Sequence, residues 1–400
     1  MYKKIILFIG RLFFMTVFMF ACSELDKTTD IYHGTSEADT VISSVSPDSA
    51  VNGVMDITIN GENFSGNVDE NFVYFGSGIS EVLSATPTQL VVRRPIGIGG
   101  LYTIKAVKRS AFLPAEFPSY SLEPGVISLR DGETYNSVTV GNGDSLFAES
   151  DEIIYLIQSN GERTEYCNLG FVSSEMRMGP AGVLYVQRKE NRALFTVPAG
   201  GGEAVQLTRV RRNSSVFDFD SEGYIYSGGE RSGFSVTTPD GVTSTEYELY
   251  DGNYRITGLR VFDGYVYVAA DTLLDVDEDG FFRAIYRHEL LGSGEMGDQE
   301  LVFHWTNEAG AYAIAAINDI TFSDDGKMYI ATDASNPIVI LTPERTLKVL
   351  YQDVIDGPIF QLAWGSGNYL FLNRVGAEDS DSGLLRIIMG QHGAPYFGRM

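Results

Sequence analysis

Three groups of residues in this 400-residue chain have types and spacings that could do chemistry. The first is DVDEDG, where Asp275, Asp277, Asp279 and Gly280 fill positions 1, 3, 5 and 6 of a D-x-D-x-D-G loop. Alternate carboxylates bring hard oxygen ligands together and the glycine allows a sharp turn, a set suited to Ca2+. Position 12, where a bidentate Glu would close the shell, is Tyr286. The three aspartates are therefore a candidate Ca2+ site, with a solvated acidic turn as the alternative; no other cofactor is expected. The second group is Trp305 with nearby Tyr312, and Trp364. Flat aromatic faces stack on the C–H surface of sugar rings while polar neighbours bond the hydroxyls. These three are candidate ligand-binding residues, with packing between sheets as the alternative. The third group is the four histidines, His33, His288, His304 and His392, whose spacing marks no metal or catalytic set. The chain has no G-x-S-x-G elbow, phosphate loop or H-E-x-x-H helix. No catalytic residue is assigned, and a binding role is favoured over an enzymatic one.

Two cysteines are present, Cys22 and Cys167. The chain begins with a basic stretch carrying Lys3, Lys4 and Arg11, followed by a short apolar run over residues 12–21. A permanent membrane span needs about 20 apolar residues, so a secretory signal over 1–22 fits better. The run ends in MFAC, which resembles the lipobox of bacterial lipoproteins. That resemblance implies cleavage after Ala21 and acylation of Cys22, leaving Cys167 as a buried apolar residue in a strand. Removing residues 1–22 takes three basic groups and no acidic one from a net charge of −24, leaving −27. So acidic a body excludes nucleic acid as a partner and leaves the lipid anchor as the contact with membrane. The first residues of the mature chain, SELDK, resemble the acidic tag that sends lipoproteins to the outer face in some Gram-negative gut anaerobes. Localisation at the outer membrane, lipid-anchored and surface-exposed, is the expectation.

The elements that must position the candidate residues are strands. Gly numbers 43, Tyr 22 and Phe 24, a composition that favours strands and tight turns. After a polar tether over 23–39, residues 40–125 show short alternating strands. Ile57 and Ile59 alternate with Thr58 and Asn60, and Gly61 and Asn63 then supply a turn. Ile42, Val45, Pro47, Gly53, the Ile57–Thr58–Ile59 run, Gly61, Asn63 and Phe64, with VYFGS (73–77) and SATPTQLVVRRP (84–95), resemble an IPT/TIG domain. The resemblance implies an immunoglobulin-like sandwich used as a spacer or binding module.

Downstream, the nonapeptides DGYVYVAAD (263–271) and DGKMYIATD (325–333) repeat one phrase. Turn glycines preceding apolar strands stand at Gly182, Gly223, Gly264, Gly326 and Gly367, with gaps of 41, 41, 62 and 41. DEIIYLI, with Glu152 thirty residues before Gly182, is taken as the first of six copies. A period near 41, with strands apolar at successive positions, predicts a propeller whose blades each bury a strand on both faces. The fold class is thus all-β: an N-terminal sandwich followed by a six-bladed β-propeller over 126–400. Ring closure is expected from a strand near NSVTVGNG (136–143) pairing with the last blade.

The D-G-x-x-Y-V-A-D phrasing resembles NHL-type propellers. The ending MGQHGAPYFGR (389–399) resembles that of IPT/TIG-plus-NHL lipoproteins of gut anaerobes. That resemblance implies a cell-surface lipoprotein, non-catalytic, binding a polysaccharide or oligosaccharide or serving outer-membrane uptake machinery. Two alternatives stay open: a metal-assisted lyase or hydrolase on the propeller, and a scaffold in an outer-membrane complex.

Overall fold

The computed structural model of the chain describes residues 38–51, 56–93, 99–111, 113–189, 193–211, 213–250, 252–273 and 282–399. Cys22, His33, Asp275, Asp277 and Asp279 lie outside the described residues.

The first domain packs two sheets face to face. One has the order Val41–Ser46, Asp56–Glu62, Gln89–Arg93, Val82–Thr86. The other has the order Ser49–Val51, Ala115–Glu123, Gly100–Lys108, Asn71–Phe75, Gly78–Ser80. Alternation in Asp56–Glu62 sends Ile57 and Ile59 into a core with Val73, Phe75, Leu90, Val92 and Ile104. Gly61 is required by close approach: a Cβ there would lie 1.9 Å from the Val41 carbonyl oxygen. The last sandwich strand ends at Glu123, and the next strand in the chain, Val126–Asp131, already belongs to the propeller.

Six antiparallel sheets follow, one per blade. Their innermost strands are Ser137–Val140, Ser173–Met178, Ser214–Phe219, Tyr254–Phe262, Ile317–Phe322 and Ile359–Trp364 for blades 1 to 6. Each inner strand contacts the next around the axis, and the sixth returns to the first. The glycine-led repeats form the second strands: Leu184–Arg188, Ile225–Gly229, Tyr265–Thr272, Met328–Thr332 and Tyr369–Arg374 in blades 2 to 6. Burial on both faces explains their continuous apolarity. In YVYVAA, Val266, Val268 and Ala270 pack with Tyr226 and Val236 of blade 3. Tyr267 and Ala269 pack with Ile320, Met328 and Ile330 of blade 5. A strand shared between two interblade cores can carry no polar face.

Two expectations are corrected here. DEIIYLI contains the third strand of blade 1, Ile153–Ile157, and not the second. The equivalent second strand is Leu146–Ser150, preceded by Gly143, which stands 39 residues before Gly182. IIYLI is apolar at all five positions and LFAES at three, so hydrophobicity alone chose the wrong strand. Closure also differs. NSVTVGNG holds the inner strand of blade 1, whereas Val126–Asp131 closes the ring as the outer strand of blade 6, pairing with Gly383–Ile388. The closing strand is half-exposed along its length, so it lacks the apolar signature of the buried strands.

The long gap between Gly264 and Gly326 is taken up in blade 4 and the crossing to blade 5. The third strand extends over Arg283–Gly292, and a short outer strand, Glu300–Phe303, leads into the single-turn helix Trp305–Glu308. His304 caps that helix, its Nδ1 accepting from the Asn307 N–H at 3.3 Å.

Candidate functional site

At five of the six inner strands the ladder to the second strand slips by one residue. The slips fall at Ser173/Glu175, Ser214/Val216, Ile256/Gly258, Ile317/Asp319 and Ile359/Gln361. The residues left over are Ser174, Ser215, Thr257, Asn318 and Phe360. A bulge bends the strand and re-aims the extra side chain. All five line one axial cavity of about 560 Å3, and Asn136, just before the blade 1 inner strand, completes the circle. The mouth is thus a ring of one bulged or pre-strand residue per blade, spaced 38, 41, 42, 61 and 42 along the chain.

The ring is chemically mixed. Two amides and three hydroxyls offer both donors and acceptors. The Thr257 hydroxyl has no hydrogen-bond partner among the described residues. Asn318 is partly committed, its amide donating to the Ile359 carbonyl at 2.9 Å. Phe360 stands 46% exposed, unusual for so large a ring, with Val375, Ala316 and Ile317 on the same side. Lys189, Glu230 and Arg255 supply the charged groups of the wall.

Below the ring, Glu175 and Gln361 form part of the floor. The Gln361 amide bridges three blades: its oxygen accepts from Val138 N–H at 2.9 Å, and its nitrogen donates to Ser174 O and Glu175 Oε2, both at 3.2 Å. Asp319 takes the Leu362 N–H at 2.8 Å, and Asp218 takes Val261 N–H at 2.9 Å. Each of these side chains ties its own inner strand to that of the next blade. Arg177 pairs with Glu175 at 2.5 Å, and Arg260 lies 3.6 Å from Asp218. Three carboxylates therefore face two guanidiniums in a buried cluster. Burial pushes the Glu175 carboxyl up to about 8, against the pull of Arg177, and raises Asp319 as well. Burial would lower Arg260, but Tyr396, Asp218, Asp319 and Glu175 around it outweigh that and hold it above its ordinary value.

The opposite end of the axis is shut by the C-terminal tail. The Tyr396 ring lies 3.9 Å from the Arg260 guanidinium carbon. Its oxygen accepts from Phe322 N–H at 2.9 Å and shares a hydrogen bond with the Thr321 hydroxyl. Phe397 packs against Phe219, and a Cβ on Gly398 would lie 1.7 Å from the Met178 oxygen. The tail thus packs over the end of the axis opposite the ring.

The aromatic residues singled out by sequence lie away from this cavity. Trp305 is fully buried, its indole N–H donating to Ala315 O at 3.0 Å, with Tyr312 edge-on at 6.5 Å. The Tyr312 hydroxyl donates to Asn336 O. Trp364 is 1% exposed, donates to Gly367 O at 3.2 Å, and meets Tyr329 edge-on at 4.8 Å. None of the three lines the cavity. His288 is buried in blade 4, bonded to the Tyr250 hydroxyl and Gly297 O, and burial lowers its pKa. His304 caps a helix and His392 donates to Ser366 O in the tail. Among the described residues no three His, Cys, Asp or Glu form a metal cluster.

The ring residues carried no motif. Their signal is the period itself: moving the 41-residue alignment one strand upstream, from the glycine-led strand to the inner strand, reaches all of them.

Residues 40–120 match the IPT/TIG domain family. No curated protein matches the chain. Among solved structures, one provisionally named a phosphatase from Bacteroides thetaiotaomicron VPI-5482 is similar at 12% identity, with a TM-score of 0.50 over 88% of this chain and 97% of that one. Another, provisionally named a gluconolactonase, is similar at 15% identity, with a TM-score of 0.51 over 67% and 93%. An auxiliary nutrient binding protein from the same Bacteroides strain shows 13% identity and a TM-score of 0.49 over 88% and 98%. At such identities the likeness is one of fold.

Proposed function

We propose that this protein is a non-catalytic accessory binding protein for a saccharide nutrient, held by the axial cavity. It is tethered through acylated Cys22 at the outer face of the outer membrane, beside uptake machinery. The supporting observation is the ring of bulged residues around a cavity whose lining includes the buried Glu175 and Gln361. A volume of about 560 Å3 falls within the range of small-ligand sites. Sugars present alternating donors and acceptors on their rims and C–H groups on their faces. Asn136, Ser174, Ser215, Thr257 and Asn318 match the rims, and the exposed Phe360 matches a face. Small hydroxyls and amides held by a rigid sheet bind with little ordering cost.

Native affinity electrophoresis and calorimetry on a broad panel of oligo- and polysaccharides test this. Retention of the full-length protein by at least one glycan is expected. Phe360→Ala should weaken binding about tenfold, the loss of about 1.4 kcal/mol of apolar contact, with Tm unchanged because the ring is exposed. Failure of every glycan to retard the wild type would remove the proposal.

A further inference from the structure

The shape of the cavity restricts how a long ligand can enter it. The six inner strands contact one another in a circle, the sixth against the first. Asn136, Ser174, Ser215, Thr257, Asn318 and Phe360 therefore stand on a wall that is continuous from blade to blade. A binding groove has two open ends, and a polymer can run on through both. A well set inside a ring has no such ends.

The well is recessed. Phe360 is 46% exposed, whereas Glu175, Gln361 and Ile317, which also line the cavity, are 2%, 3% and 1% exposed. The route along the axis is narrow. Where the inner strands end, Arg177, Asp218, Arg260 and Tyr396 help to line a second cavity of about 20 Å3, room for about one water. It shares no lining residue with the first. Near the upper floor, Gln361 bonds Val138, Ser174 and Glu175, and Asp319 bonds Leu362, tying blade to blade. A sugar ring is far larger than one water, so a glycan chain does not thread from the mouth to the tail.

A chain that reaches Gln361 must then leave by the mouth it entered. For the interior of a polymer to descend, both of its continuations would have to lie side by side within about 560 Å3. A terminus needs room for one. A terminal sugar also keeps a hydroxyl that an interior sugar spends on its glycosidic bond. Five blades offer that hydroxyl an amide or hydroxyl partner.

Resting on the saccharide reading above, we infer that the cavity takes the end of a glycan chain, or a short branch, and leaves chain interiors unbound.

The test is a length series on the full-length protein. Unbranched α-1,4-glucan, β-1,3-glucan, xylan and galactan are cut and sized into fractions about 5 to about 50 residues long, and those retained in electrophoresis are titrated by calorimetry. Each molecule carries one such end whatever its length, so the molar Kd should stay within about twofold across the series. A site for interiors gains registers in proportion to length, and its molar affinity would climb about tenfold. Phe360→Ala and Thr257→Val should each weaken binding of every length by one common factor, which ties the effect to this cavity. A tenfold climb with length would overturn the inference and leave the saccharide reading standing. Affinities indifferent to both substitutions, or retention of no glycan at all, would end both.

Discussion

Glu175 lies where the inner strands converge, and its environment decides its charge before any ligand arrives. Desolvation raises its carboxyl to about 8, while an unfolded glutamate titrates near 4.5. The folded state therefore holds a proton that the unfolded state releases. Stability from this group is present at low pH and falls as pH rises from about 4.5 to about 8, the reverse of a surface carboxylate in an ion pair. Glu175→Gln removes that titration, so urea unfolding from pH 5 to pH 8 should show a shallower loss of stability in the variant. Some slope will persist because Asp319 is raised too. Equal slopes in the two proteins would show that Glu175 is ionised in the fold. Neighbouring Phe360 makes the complementary point about exposure. Inner-strand partners Ile359 and Leu362 are fully buried, and one residue of slippage is enough to turn Phe360 outward.

That slippage belongs to the strand. A regular inner strand would send alternate side chains to the axis and to the blade interface. The bulge breaks the alternation at the mouth, where pairing to the second strand begins. Repeated in five blades, it converts an interface position into a lining position five times. The other decisive element is the closing strand Val126–Asp131. Its neighbour Gly383 faces it with no room to spare, for a Cβ there would lie 2.2 Å from the Arg130 oxygen. Gly383→Ala should push the two strands apart and cost about 1–3 kcal/mol in denaturant unfolding. A variant as stable as the wild type would show that closure tolerates a displaced strand. Half-exposed and carrying Ser128, Arg130 and Asp131, this strand reads as loop by pattern; its place follows from leaving no free edge in the ring.

At the scale of the whole molecule, six sheets bury their faces against each other and a tail seals one end of the axis. Residues 391–399 cross from blades 5 and 6 towards blade 2: Ala394 N–H donates to Phe322 O, and Gly398 abuts Met178. Gly393 lies against Trp364, where a Cβ would come within 2.7 Å of the indole. Deleting residues 391–400 should lower Tm by about 5 °C or more. It should also shift tryptophan emission to longer wavelength, since Trp364 loses its cover while Trp305 keeps its own. Unchanged emission would mean that the tail covers nothing essential.

The sequence alone determined the class of fold, the number of blades and the sandwich before them. Turn glycines and doubly buried strands are local necessities and leave a period in the chain. It could also show that Tyr286 denies the acidic loop its closing ligand. Only the tertiary structure decided which residues meet. Trp305 and Trp364 have the composition of a sugar platform, but blade packing takes both for its cores. Ser174, Ser215, Thr257, Asn318 and Phe360 have no shared chemistry to mark them. They become a site because bulges in separate strands turn them towards one axis, and a one-residue slip in pairing is set by how neighbouring strands fit rather than by the residue that slips.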